Sequence, residues 1–330
     1  MNKRVIITAG MEDNSRKDVR DALRCVNSVK EALARSGIEA GTLFFRPEDL
    51  TRGKEHVAAK IKSSGPDCVF NLFEGYSDDS GKEIEFARIL EETGVPFTGS
   101  RGAVLEACRD KKRSKDILRA SGVNVPEGFV VERMSDLEDT YPECPLFIKP
   151  RCEDASVGID AGSLVTEQKD IKEAVRRKLE EFPEGLIVEE FIPGREFNAG
   201  YIGVYPYELV GVSVMDYEEC PDCYNFMSYM SKWEESAPDF SKLVPKVVTG
   251  EARADKDVKQ KISEIGREAA RALGCRGYFR IDMREKNGVF YVLDVNPNPD
   301  INEDSGFMRQ VYTGGYTYQQ MINRIIDLAG

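Results

Sequence analysis

One histidine and one tryptophan occur in 330 residues. With His56 alone, a Ser–His or Cys–His nucleophilic pair is nearly excluded, as is any metal site that needs several imidazoles. The stretch Lys54-Glu55-His56-Val57-Ala58-Ala59-Lys60 reads as an ordinary helix, so His56 is expected at the surface. Long apolar runs are missing too: none approaches the roughly 20 residues needed to span a bilayer. The start, Met1 to Ile7, has basic residues but a very short apolar stretch, and reads as a first strand rather than a signal peptide. The cytoplasm is the expected location. Positive charge is in short supply, with 46 Lys and Arg against 58 Asp and Glu and a net charge of -12. That balance disfavours nonspecific binding to nucleic acid or an anionic membrane. An anion site must then gather its own local cations, which makes individual lysines and arginines informative. The eight cysteines are mostly isolated and are expected as free thiols. Cys220-Pro221-Asp222-Cys223 is a single C-x-x-C with no second pair or nearby histidine to complete a zinc site.

What is present is an alternation of strand and helix patterns. Hydrophobic residues make up 41% and charged residues 32%, a balance that supports two or three domains with sizeable cores. In residues 1–100, the runs Val5-Ile6-Ile7, Thr42-Leu43-Phe44-Phe45 and Cys68-Val69-Phe70-Asn71-Leu72 read as buried strands. Helices are expected near 17–36, 54–63 and 82–93. This predicts an α/β unit with an open parallel sheet. No G-x-G-x-x-G follows the first strand, so a dinucleotide fingerprint is absent. Residues 101–190 form a second unit: helices near 102–108 and 110–121, strands at 127–131 and 145–149, a charged helix at 167–182 and a strand from Leu186 to Phe191. Residues 191–330 form a third, with strands near 196–203 and 207–214 and a long irregular stretch near 216–248. A helix near 257–273, a hairpin at 277–296 and a last helix at 316–328 complete it.

The hairpin carries the strongest chemical signal. A two-residue Asn287-Gly288 turn would place Asp282 and Asp294 on opposite faces. A three-residue loop pairs Arg280 with Asp294 and Tyr278 with Asn296, and gathers Arg280, Asp282, Asp294 and Asn296 on one face. The other face is then Phe279, Ile281, Met283, Tyr291, Leu293 and Val295. The clean division favours the second register. Two carboxylates and an amide oxygen are hard donors that suit Mg²⁺ between protein and polyphosphate. A solvated polar face with a surface ion pair is the competing explanation of the same pattern.

Followed by Asn296-Pro297-Asn298-Pro299, this hairpin resembles the metal-binding strands of the ATP-grasp superfamily, and within it the D-alanine–D-alanine ligase family. Four further segments match in order. Val95-Pro96-Phe97-Thr98-Gly99-Ser100 resembles the family's G-I/V-P-Y-T-G-S junction. Asp110-Lys111-Lys112-Arg113-Ser114-Lys115 resembles its D-K-x-x-x-K helix. Phe147-Ile148-Lys149-Pro150 resembles its V-K-P strand, and Glu189 to Phe197 resembles its adenine-binding linker. The resemblance implies a three-domain ATP-grasp fold, with ATP and Mg²⁺ as cofactors and Mn²⁺ as a substitute ion. It implies Lys111 and Lys149 on ATP phosphates, and Glu189 with the backbone near Glu190, Phe191 and Ile192 on adenine. It also implies Glu196 on the ribose and Asp282, Asp294 and Asn296 on the metal. Ser156, in a loop resembling the family's phosphate-covering loop, would meet phosphate oxygens. Lys232, in a stretch resembling its omega-shaped lid, would reach the γ-phosphate as the lid closes. Trp233 beside it serves as an anchor or as part of the lid.

The reaction implied is attack of a substrate carboxylate on the γ-phosphate, then attack of an amine on the acyl phosphate, with Arg280 stabilising the oxyanion. The partners are small amino acids or carboxylates, with neither nucleic acid nor membrane. The sequence does not give the oligomeric state, and a homodimer stands as an alternative to a monomer. Around the amino-acid positions the chain departs from the family. The first-domain His-Gly falls near Phe73-Glu74-Gly75, the usual Gly-Ser-Ser of the loop is Asp154-Ala155-Ser156, and a Pro-Gly becomes Pro299-Asp300. Asp18 and Ser305 fall near the family's substrate positions, and Asp300 with them. A substrate pair other than two D-alanines is expected. Two alternatives are a ligase from another ATP-grasp branch and a non-catalytic ATP-binding regulator.

Overall fold

Continuous burial from Val5 to Ala9 along Arg4–Gly10 and a helical spacing of apolar residues in Lys17–Arg35 begin the first layer of the protein. The computed structural model describes residues 3–12, 17–76, 79–137, 143–154, 156–215, 217, 225–233, 245–250 and 252–330; the side chains of 17, 18, 232, 233 and 254 are outside the description. The elements are, in order, β1 (Arg4–Gly10), α1 (Lys17–Arg35), β2 (Glu39–Phe45), α2 (Pro47–Thr51), α3 (Lys54–Ser63), β3 (Cys68–Leu72), α4 (Lys82–Thr93), α5 (Gly102–Arg109) and α6 (Lys111–Ala120). Then come β4 (Gly128–Val131), β5 (Leu146–Pro150), β6 (Leu164–Val165), α7 (Ile171–Glu181), β7 (Leu186–Glu190), β8 (Glu196–Gly203) and β9 (Glu208–Met215). The chain continues with α8 (Tyr229–Trp233), β10 (Lys246–Val247), α9 (Arg253–Leu273), β11 (Gly277–Lys286), β12 (Val289–Pro297), α10 (Gly306–Thr313) and α11 (Tyr318–Asp327).

The first sheet is parallel, in the order β2-β1-β3. Both faces are covered, which is why its strands read as nearly continuous apolar runs. Val26, Val29 and Leu33 of α1 pack with Ile322 and Ile325 of α11 on one side. Val57, Ile61, Phe86 and Leu90 of α3 and α4 fill the other. Two antiparallel sheets follow, in the orders β4-β7-β5-β6 and β10-β9-β8-β11-β12. The larger rests one face on α5, α6 and α9 through Phe197, Phe279, Ile281, Met283 and Ile262. Its other face carries the polar residues of β8, β11 and β12. No helix among the described residues is long and apolar enough to cross a membrane.

The hairpin differs from the expected register. Lys286 pairs with Val289 across a two-residue Asn287-Gly288 turn. Both turn residues have positive φ, 53° and 79°, the geometry that matches strand twist in tight hairpins. A bulge then restores the shared face. Met283 pairs with Val292 but Asp282 pairs with Asp294, so Leu293 is the extra residue. Arg280 faces Asn296, not Asp294. The buried face of β12 is Phe290, Val292 and Val295, in place of Tyr291 and Leu293. Helix α10 was also not anticipated; Ser305 caps it, and Phe307, Met308 and Val311 anchor it in the core. His56 is half-buried, with its Nε2 3.2 Å from Asp49 Oδ1, rather than a bare surface residue.

Candidate active site

A cavity of about 550 Å³ opens between the two antiparallel sheets. Its walls include Lys111, Lys149, Ser156, Glu189, Glu190, Phe191, Ile192 and Glu196, and also Arg280, Asp282, Asp294 and Asn296. Twelve residues selected from the sequence therefore converge on one space.

The floor is a chain of alternating charges. Asp110 caps α6, its carboxylate accepting from the backbone N–H groups of Lys112 and Arg113, and Arg151 grips the same carboxylate. This fixes Lys111 at the first turn, with its side chain buried. Lys111 Nζ donates to the Glu153 carbonyl at 2.5 Å and lies 3.1 Å from Asp154 Oδ1 and 3.9 Å from Asp294 Oδ1. Lys149, on β5, lies 3.1 Å from Asp294 Oδ2 and 3.3 Å from Glu189 Oε1. Lys115, one turn after Lys111, is 2.5 Å from Glu189 Oε2. Burial alone would raise the Asp294 pKa, but Lys149, then Lys111 and Lys115, overrule it and hold the carboxyl at about 2. Burial alone would lower the pKa of Lys149; Asp294 and Glu189 overrule it and raise it. For Lys115 burial wins, and its pKa is lowered. An internal ion pair returns little net stability, because desolvation offsets the attraction. Three buried lysines in an acidic protein thus point to a ligand-binding task.

Beside this floor, Arg280 makes a two-pronged contact with Asp282, Nε to Oδ1 at 2.7 Å and Nη2 to Oδ2 at 2.8 Å. Asn198 donates to Oδ1 at 2.9 Å and Asn296 to Oδ2 at 3.0 Å. Asp282 therefore accepts four hydrogen bonds and holds Arg280 rigidly. Asn296 commits its amide nitrogen to Asp282, which leaves its carbonyl oxygen as the donor available to a cation. With Asp294 the set is hard and oxygen-rich, and it fits Mg²⁺.

The opposite end is apolar and aromatic. Phe147 lies 6.0 Å from Phe191 and 5.1 Å from Phe226, centre to centre. Leu293, turned out of the core by the bulge, lines the same cavity. Above it, the loop carrying Ser156 is braced by Lys178, which donates to the Gly158 carbonyl at 2.6 Å. The N–H of Tyr229 donates to the Ile159 carbonyl at 3.0 Å, so α8 sits against that loop. Lys232 and Trp233 belong to α8, and their side chains lie outside the described residues, as do Ala155, Cys220 and Cys223.

Two of the three substrate candidates stand apart from the cavity. Asp18 is in the first turn of α1, with its side chain outside the description. Asp300 accepts from the backbone and side chain of Asn302, both at 2.8 Å. Ser305 spends its hydroxyl on the Met308 N–H. Neither Asp300 nor Ser305 lines the cavity, whereas Gly306 and Arg309 do. The sequence pattern assigned no functional role to Lys115, Asn198, Tyr217 or Arg284, and it placed Leu293 on the apolar face. Alternation could have found two of them: Glu196-x-Asn198 and Arg280-x-Asp282-x-Arg284 are polar at every second position.

A family described as D-ala D-ala ligase C-terminus matches residues 118–327. The chain belongs to the D-alanine–D-alanine ligase family. The D-alanine–D-alanine ligase of Haemophilus influenzae is 28% identical over 315 residues, covering 92% of this chain and 94% of that one. The Bacillus anthracis D-alanine–D-alanine ligase, solved in complex with ATP, superposes with a TM-score of 0.75 at 20% identity, covering 99% of this chain and 97% of that one. The VanG D-Ala:D-Ser ligase of Enterococcus faecalis gives a TM-score of 0.74 at 20% identity, covering 99% of both chains. The fold of this family member is thus ATP-grasp along nearly its whole length.

Proposed function

We propose that the chain is an ATP- and Mg²⁺-dependent carbon–nitrogen ligase that joins two small amino acids through an acyl phosphate. The observation that carries this reading is the buried chain Lys115–Glu189–Lys149–Asp294–Lys111, set beside the Arg280–Asp282 pair in one cavity. Lys111 and Lys149 exchange their contacts with Asp294 for ATP phosphates, where point charges offset the polyanion. Glu189 keeps Lys115 and Lys149 in place. The backbone of Glu190 to Ile192 meets the adenine edge, Phe191 and Leu293 lie along its faces, and Glu196 takes the ribose hydroxyls. Asp294 and Asn296, backed by Asp282, are the residues that would hold Mg²⁺, which supplies charge neutralisation between protein and phosphates.

The substrate carboxylate attacks the γ-phosphorus and ADP leaves. An amine then attacks the acyl carbon and inorganic phosphate departs. Arg280, rigid against Asp282, faces the oxyanion of that second step without reorganising. Ser156 and Lys232 close over the phosphates and exclude water from the acyl phosphate. The enzyme is not a dedicated D-alanine–D-alanine ligase: the substrate-side segments Phe73-Glu74-Gly75, Asp154-Ala155-Ser156 and Pro299-Asp300 differ from the family pattern. A phosphate-release screen over D- and L-amino acids with ATP and Mg²⁺, with products identified by mass spectrometry, tests both parts. Amino-acid-dependent release with a mixed or non-alanyl dipeptide is expected. D-alanyl-D-alanine formed with much the highest kcat/KM would overturn the substrate assignment, and absence of any amino-acid-dependent release would overturn the ligase reading.

A further inference from the structure

We infer that Arg284 is a positioning residue that aims Glu196 at the nucleotide ribose, an inference that rests on the nucleotide reading of the cavity. Arg284 follows Arg280 and Asp282 at every second position along β11, on the face turned to the cavity, and is only 2% exposed. Its Nε and Nη2 both lie 3.2 Å from the same oxygen, Glu196 Oε2. The Tyr217 hydroxyl donates to that oxygen as well, at 2.9 Å. An arginine that only needed to neutralise a carboxylate would take both oxygens in a fork, as Arg280 does with Asp282. Here three donors crowd Oε2, and among the described residues no hydrogen bond reaches Oε1. Glu196 lines the cavity, so its second oxygen is held in reserve for a ligand hydroxyl.

Arg284 also joins the segments that frame this end of the site. Nη1 donates to the Ile192 carbonyl at 2.9 Å, in the linker after β7, and Nη2 reaches the Asn225 carbonyl in the segment before α8. The guanidinium lies between two aromatic faces, 4.9 Å from the ring centres of Phe191 and Tyr217. Such stacking fixes the plane of the fork as well as its position. One side chain thereby sets the linker backbone, the carboxylate and the approach of the segment leading to α8. Leucine or methionine would fill the space without directing any of the three.

The test is binding of ATP and of 2′,3′-dideoxy-ATP, each with Mg²⁺, measured by calorimetry on the full chain and on Glu196→Gln, Arg284→Met and Arg284→Lys. The wild type should prefer ATP by about tenfold, the effect of a charge-assisted hydrogen bond. Glu196→Gln and Arg284→Met should bring the two nucleotides to within about twofold, and Arg284→Lys should retain part of the preference. A general loss of packing would weaken both nucleotides alike and leave the ratio intact. If Glu196→Gln loses the preference while folded Arg284→Met keeps it, this inference is overturned and the nucleotide reading stands. If the wild type shows no preference, or Glu196→Gln keeps it, the ribose assignment and the inference fall together. Should Arg284→Met not fold, Arg284→Lys decides: an undiminished ratio overturns the inference.

Discussion

Two regions of this protein solve the problem of a poorly hydrated carboxylate in opposite ways. Around the cavity floor, Glu189 and Asp294 lie within ion-pairing distance of Lys115, Lys149 and Lys111, and Asp294 stays ionised down to a pH of about 2. At the start of α4, Glu83 has no lysine or arginine hydrogen-bonded to it among the described residues. There the protein retains a proton instead. Glu83 is half-buried and accepts from Asn298 at 3.2 Å. Burial raises its pKa to about 8, against the pull of Asn298 and with Glu74 and Asp154 adding to it. Pairing maintains fixed charge for a polyanion with its metal. Protonation leaves a region whose charge depends on pH.

The largest effect expected from breaking this contrast comes at Glu189. Replacement by alanine strands Lys115 in the interior and leaves Lys149 with Asp294, and removal of one partner from a buried pair costs about 3–5 kcal/mol. Chemical denaturation should show that loss; a change below about 1 kcal/mol would mean water reaches Lys115. Next is Asp294→Ala. Lys149 keeps Glu189, so melting should change modestly, while phosphate release falls roughly 10²–10³-fold. Excess Mg²⁺ should not restore it, and normal turnover at modest Mg²⁺ would remove Asp294 from the metal site. The smallest effect is at Glu83. Its folded-state pKa lies above the unfolded value, so the folded form favours the proton, and stability falls as pH rises from about 4.5 through about 8. Glu83→Gln removes that slope. Melting temperatures of variant and wild type should diverge between pH 5 and pH 9, the variant gaining about 2–4 °C at the upper end. Parallel curves would show that Glu83 is already ionised at neutral pH.

Much of this was legible in the sequence because periodicity reports burial. The parallel strands, α3 and α4 lie where apolar runs and helical spacing put them. The polar hairpin face was legible for a subtler reason: the expected loop and the observed bulge both bring Arg280, Asp282, Asp294 and Asn296 together. The pattern constrains the face and leaves the register free, so Leu293 was assigned to the core when it lines the cavity. Lys115 was not legible as a buried cation. Its neighbours Lys111, Lys112, Arg113 and Asp116 make α6 look like a solvated surface, and only packing against β7 reveals Glu189 beside it. Arg284 was legible by alternation as a member of the polar face, but its contacts were not, since its partners Ile192, Glu196 and Tyr217 come from distant segments.

The central claim is that the buried lysines serve a polyphosphate. Calorimetric titration of ATP with Mg²⁺ into wild type and Lys149→Met tests it most directly, because methionine keeps most of the stem and removes the charge. Loss of a charged hydrogen bond predicts a Kd about tenfold to a hundredfold higher in the variant. An unchanged Kd in a folded Lys149→Met protein would contradict the account and leave Lys149 as no more than a bridge between Glu189 and Asp294.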